Sequence, residues 1–267
     1  WTIRVSAGDN DWRGIAWSPA LGLFTAVALT AGVGNQVMTS PDGIAWIMRV
    51  SAIDRAWNGI AWSPELSLFV AVAVSGVGNR VMTSPDGIAW TARVTPADNN
   101  WLGIAWSPQL LLFAAVAETG VGNRVMTSPD GIVWTLRVSP ADNDWRAIVW
   151  SPERALFAAV STTGVGNRVM TSPNGIAWTL RVPATDNIWL GIAWSPELGV
   201  FAACAQSGTQ DRVMTSPDGI VWTSRRTVDN NWFAIAWSPE RRVFASVAFT
   251  GTGMRAMTSA RAETVFD

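Results

Sequence analysis

Apolar residues along the chain fall in short runs separated by Gly, Pro, Asn, Asp and Ser, and the whole pattern recurs in six units, 1–45, 46–89, 90–133, 134–177, 178–221 and 222–267, each opening on a tryptophan. The third unit shows the plan. Trp101 to Trp106 is small, apolar and β-compatible, and it stops at Ser107-Pro108, where Pro suits the second position of a type I turn. Leu111 to Ala117 is a second run, closed by Thr119-Gly120-Val121-Gly122, and Arg124 to Thr127 is a third. It ends in Ser128-Pro129-Asp130-Gly131, an order that fits a type I turn with Gly in the left-handed position. Trp134 to Val138 is the fourth run. No run has the helical period, so a helical solenoid is excluded.

Four strands joined by hairpin turns make one blade, and six such sheets make a β-propeller. The expected fold is therefore all-β: a single six-bladed propeller of four-stranded antiparallel blades over 1–267. The last unit has three strands around Ile235, Phe244 and Met257 and lacks a recognisable fourth, whereas Trp1 to Val5 reads as a fourth strand with no blade of its own. The N-terminal strand is expected to complete that blade and close the ring, hiding two edges. Residues 260–267 replace the Pro-Asp-Gly turn and read as a tail.

Composition narrows the chemistry. There is no His and no Tyr, and all 19 basic residues are Arg. Imidazole catalysis, lysine Schiff bases and His-ligated metals are thereby excluded. A net charge of −1 gives no basic surplus for phosphate, so nucleic acid is not an expected partner. No apolar run approaches the roughly 18 residues of a spanning helix, and no direct membrane insertion is expected. A single Cys204 leaves the redox compartment open. The chain opens without an initiator Met or a signal-peptide pattern, which reads as a processed product or a piece of something longer, and localisation is not legible.

The segments SPDGIAW (Ser40 to Trp46, Ser84 to Trp90), SPDGIVW (Ser128 to Trp134, Ser216 to Trp222) and SPNGIAW (Ser172 to Trp178) resemble the Asp-box, or BNR, repeat of sialidase-like propellers, with one residue fewer between Asp and Gly. The resemblance implies the same fold and places the motif on the hairpin between third and fourth strands. It spans enzymes, lectins and assembly factors, so it does not choose a function. The sialidase-type nucleophile is a Tyr, which this chain lacks. Of 20 acids, only Glu118, Asp211, Glu263 and Asp267 stand off the repeat pattern, too few and too scattered for a paired-carboxylate centre. The expectation is a chain that is not an enzyme and takes no cofactor or metal. The DND and DNN loops lack the further acids of a calcium site.

Strand order puts the loop before each first strand and the loop between second and third strands on one rim. Candidate ligand-binding residues there are Asp54, Asp98, Asp142 and Asp186, with Asn99 and Asn143; the bordering Trp57, Trp101, Trp145 and Trp189; and the loop-end pairs Asn79-Arg80, Asn123-Arg124 and Asn167-Arg168. Carboxylate, amide, guanidinium and indole together read hydroxyl-rich ligands, so the rim suggests multivalent, lectin-like glycan binding. The alternative is a scaffold or accessory subunit docking a protein partner. Thr209-Gln210-Asp211, which breaks the Gly-Val-Gly-Asn register, favours an asymmetric protein contact. A second arginine set on the fourth strands, including Arg93 and Arg137, is expected to pair with the loop Asp that follows.

Overall fold

The computed structural model describes residues 2–30 and 34–260. Every regular element among them is a strand, and the fold class is a six-bladed β-propeller with antiparallel blades. In the compact unit Trp1–Ser139, the first blade contains β1 (Trp12–Ser18), β2 (Leu23–Ala28), β3 (Val37–Ser40) and β4 (Ile47–Arg49). The second contains β5 (Trp57–Ser63), β6 (Leu68–Ala73), β7 (Val81–Ser84) and β8 (Thr91–Arg93), and the third β9 (Trp101–Ser107), β10 (Leu112–Ala117), β11 (Val125–Ser128) and β12 (Thr135–Arg137). The unit Pro140–Asp267 begins with the blade of β13 (Trp145–Ser151), β14 (Leu156–Ser161), β15 (Val169–Ser172) and β16 (Thr179–Arg181). It continues with β17 (Trp189–Ser195), β18 (Val200–Ala205), β19 (Val213–Ser216) and β20 (Thr223–Arg225), then β21 (Trp232–Ser238), β22 (Val243–Ala248) and β23 (Ala256–Thr258).

The last sheet has three strands, in the order β21-β22-β23. The expected N-terminal partner is not there. Residues 2–5 carry no strand, and Ile3 and Val5 are 97% and 85% exposed. Elsewhere a short Asp turn tethers the fourth strand to the third; residues 2–5 have no such tether, so pairing them would cost the closure entropy of a long loop. Trp1 and residues 261–267, most of the expected tail, lie outside the described residues.

Packing follows the repeat. In the first unit Val70 and Val72 of the second blade join Trp101, Ile104, Trp106, Phe113 and Trp134 of the third in one buried cluster. Trp106 and Phe113 lie 4.4 Å apart, centroid to centroid, in a tilted arrangement. The tight turns are held by their own side chains. Ser84 Oγ accepts from Gly87 N–H at 2.8 Å, and Asp86 Oδ1 accepts from Ile88 and Ala89 N–H at 2.8 Å each. Burial pushes the Asp86 carboxyl up, but those two amides outweigh it and hold it below its ordinary value.

The glutamates after Ser-Pro also have a structural role. Trp106 Nε1 donates to Glu65 at 2.6 Å, and in the second unit Trp194 does so to Glu153 and Trp237 to Glu197, each at 2.6 Å. The first blade has Ala20 at this position, and the indole N–H of Trp62 is buried without an acceptor. Ala20→Glu is therefore expected to stabilise the protein by about 1–2 kcal/mol in chemical denaturation, by satisfying that donor. The same change in a Trp62→Phe background should give no gain, and an equal gain there would assign the effect to surface charge.

Candidate functional site

The rim loops are tied to one another from both directions. Loop aspartates reach back to the preceding blade: Asp98 Oδ1 accepts from Gly78 N–H at 2.6 Å, and Arg80 Nε lies 3.9 Å from it. Asp54 accepts from Gly34 N–H at 2.5 Å and Asp186 from Gly166 N–H at 2.8 Å; Asp142 stands at the equivalent point of the fourth repeat. The asparagine beside it reaches forward. Asn99 Nδ2 donates to Asn123 O, and Asn143 Nδ2 to Asn167 O, each at 2.9 Å, and both donors are buried. Asn123 and Asn167 also accept through Oδ1, at 3.2 and 3.1 Å, while Asn79 Oδ1 accepts from Arg55 Nε at 3.0 Å.

The arginines fold back onto their own loops. Arg80 Nε donates to Gly76 O at 2.8 Å and Nη1 to Asn100 Oδ1 at 2.7 Å. Arg124 donates to Gly120 O at 2.8 Å and Arg168 to Gly164 O at 2.7 Å. Burial pulls Arg80 down from its ordinary value, with Asp98 opposing and Arg55 adding to the fall, yet a guanidinium stays charged. The loop aspartates thus meet these arginines and not the fourth-strand set. Arg93 Nε and Arg137 Nε donate instead to Thr83 Oγ1 at 2.9 Å and Thr127 Oγ1 at 2.8 Å, because strand alternation turns them onto the neighbouring strand of their own sheet.

Trp57, Trp101, Trp145 and Trp189 cannot serve as platforms for sugar rings. All four are fully buried, and each indole donates to the backbone four residues earlier, as Trp101 does to Ala97 O at 3.4 Å. An indole at a strand start turns inward when the blade beside it offers apolar cover.

The rim presents valine to solvent. Val77, Val121 and Val165 at the loop tips, and Val94, Val138 and Val182 after the fourth strands, are between 69% and 88% exposed. In the third blade the two are placed together by the bond from Ser139 N–H to Gly122 O, 3.1 Å, since each valine immediately precedes one partner of that bond. The Thr95 N–H to Gly78 O bond, 3.0 Å, does the same for Val94 and Val77.

One set of positions escaped the sequence reading. The residue after each first-strand tryptophan is Arg13, Asn58, Leu102, Arg146, Leu190 or Phe233, and the ladder register shifts there in every blade. Such bulges re-aim side chains. In the second unit Arg146 lies over the Phe233 ring at 5.8 Å, and Phe233 packs on Phe249 at 4.5 Å. The available signal was the lack of a majority residue at a position flanked by an invariant Trp and a small residue, Gly or Ala. The Cys204 thiol, buried and pushed up to about 12 by that burial, stays protonated and offers no nucleophile.

Fold and rim together define a β-propeller with braced, valine-tipped loops. No protein-family model matches the chain, and no curated protein does. Among solved structures it is similar to a virginiamycin B lyase from Staphylococcus aureus, with 12% identity over 94% of this chain and 85% of that one and a TM-score of 0.73. It is also similar to YCF48 bound to D1 peptide, with 15% identity over 92% and 77% and a TM-score of 0.62. A GH74 enzyme from Niastella koreensis matches at 14% identity over 93% of this chain and 45% of that one, with a TM-score of 0.71. The likeness is one of fold. It overturns the expectation that the chain is not an enzyme, because lyases and a glycoside hydrolase are built on this architecture. Chemistry is added to a fold by a few unrepeated side chains, which an inventory of repeated positions does not reach.

Proposed function

We propose that the chain is a docking propeller of the Asp-box type, which holds a peptide or protein partner on the rim formed by the second-to-third-strand loops and the loops leading into each first strand. The observation that carries this reading is the division of labour on that rim. Its Asp, Asn and Arg groups are bonded to the loops themselves, whereas Val77, Val94, Val121, Val138, Val165 and Val182 stand in solvent. Loops braced in this way lose little freedom on binding, so apolar contact at their tips is not offset by an ordering cost. The buried tryptophans remove the aromatic half of the glycan reading. That YCF48 is described with a bound peptide supports the class of ligand for this fold.

Selection of a random peptide library on the immobilised protein tests the proposal. Enriched peptides are expected to lose at least tenfold in affinity for the Val121→Asp, Val138→Asp double variant. They should bind the Ile88→Asp variant unchanged, since Ile88 sits in an Asp turn on the opposite rim. Both valines are exposed, so folding is expected to survive their replacement. Peptides indifferent to the valines, or no enrichment beside clear saccharide binding, would count against it.

A further inference from the structure

The fifth blade breaks the rim pattern at three places that lie together. Gln210 stands where the equivalent position in the other described loops is Gly34, Gly78, Gly122, Gly166 or Gly253, and it keeps their left-handed conformation with φ 57°. Arg226 replaces the exposed valine of Val94, Val138 and Val182. The loop into the next first strand is also one residue shorter, as the interval Trp222 to Trp232 shows against Trp134 to Trp145. A cleft of about 450 Å³ opens at this point, lined by Gln210, Arg226, Thr227, Val228 and Asp229. Elsewhere the described rim loops carry glycine and valine at these positions.

Charge decides what the cleft would take. Asp229 Oδ1 accepts from Gln210 N–H at 2.6 Å and lies 3.5 Å from Arg212 Nε, so its charge is already matched. Arg225, the repeat's own arginine, donates to Thr215 Oγ1 at 2.8 Å. Arg226 is exposed and makes no side-chain hydrogen bond or ion pair among the described residues. The cleft therefore holds one uncompensated guanidinium beside the Gln210 amide, with Val228, 57% exposed, as an apolar flank. A non-glycine residue in the left-handed region is a conformational cost, and here that residue, Gln210, lines the same cleft as Arg226.

We propose that this cleft is the point at which the rim captures a carboxylate side chain of an extended acidic peptide segment on the partner, with Arg226 as the bidentate donor and Gln210 as the second. The guanidinium fork matches a carboxylate, and the neighbouring valine suits the apolar residue next to it in an extended strand. This inference rests on the docking reading above and sets both register and polarity for a ligand that Val165 and Val182 of the same unit alone would leave free to slide.

The test uses two fluorescein-labelled octapeptides, one alternating Glu and Val and one alternating Gln and Val, titrated against the full chain and its variants. Arg226→Val and Gln210→Gly restore the residues of the other blades, so both variants are expected to fold. The Glu-Val peptide should bind the wild type at one site, and Arg226→Val should weaken it at least tenfold while leaving the Gln-Val peptide unchanged. Added salt should weaken only the Glu-Val peptide. Equal binding of the two peptides by the wild type, or a Glu-Val affinity indifferent to Arg226→Val, would overturn the carboxylate assignment and leave the valine rim standing. Failure of both peptides to bind would overturn both readings.

Discussion

Gly87→Val is expected to destabilise the protein by on the order of 3 kcal/mol or more, since it adds backbone strain of about 1–3 kcal/mol to overpacking of similar size. Gly87 holds φ +72°, where a β-branched residue is disfavoured. A Cβ built there would sit 2.9 Å from Thr25 Oγ1 and 3.0 Å from Leu23 Cδ2, side chains of the preceding blade, so the turn and the blade packing suffer together. Asp86→Asn is expected to cost less than about 1 kcal/mol, because a neutral amide oxygen can accept the same two bonds. The fourth copy of the turn already shows it: Asn174 Oδ1 accepts from Ile176 and Ala177 N–H at 2.9 and 3.0 Å. Denaturant midpoints of the two variants, measured side by side, check the difference. Equal losses would mean that the turn does not depend on its left-handed residue.

Trp101→Ala should cost about 3–5 kcal/mol, the range for deleting a large buried aromatic side chain. Trp101 is fully buried, and it lies in the cluster that joins Val70 and Val72 to Phe113 and Trp134, so the vacated volume falls between two blades. Part of the loss comes from the indole N–H bond to Ala97 O, which anchors the loop leading into β9. Urea unfolding, with the folded baseline checked by far-ultraviolet circular dichroism, measures it. A loss below about 1 kcal/mol, with a binding defect at the rim, would return this indole to the role of a ligand platform. An intermediate variant is informative: Trp101→Phe retains much of the volume and lacks the N–H, so its loss separates packing from the anchor.

Much of the blade was legible because it depends on neighbours in sequence. The runs from Trp101, Leu111, Arg124 and Trp134 became β9, β10, β11 and β12 with end shifts of a residue or so, since Pro, Gly and Asp force turns wherever they fall. The left-handed glycine of each Asp turn was legible for the same reason. The register break at 209–211 was also visible, but nothing in the residue order said that a shortened loop and Arg226 would meet it. The positive φ of Ser67, Leu111, Ala155 and Arg242, each one residue before the second strand of its blade, was missed, because non-glycine residues there give no signal.

What the sequence determined by itself is therefore the repeat, the strand and turn positions and the class of fold, all set by local periodicity and local backbone preference. Only the tertiary structure decided the fate of the side chains that the repeat makes identical. Trp101 and Asn99 border the same loop as Asp98 and are equally plausible as ligands, yet the first packs between blades and the second bonds to Asn123, 24 residues away. The exposed valines, unremarked as a pattern, became the accessible rim once those polar groups were consumed. Trp1 to Val5 were expected to pair because they match the fourth-strand segment of the repeat, yet residues 2–5 carry no strand and stand exposed, because no turn tethers them to a partner strand. Burial and partnership are properties of the surfaces that meet in space, and a residue's type limits those meetings without choosing among them.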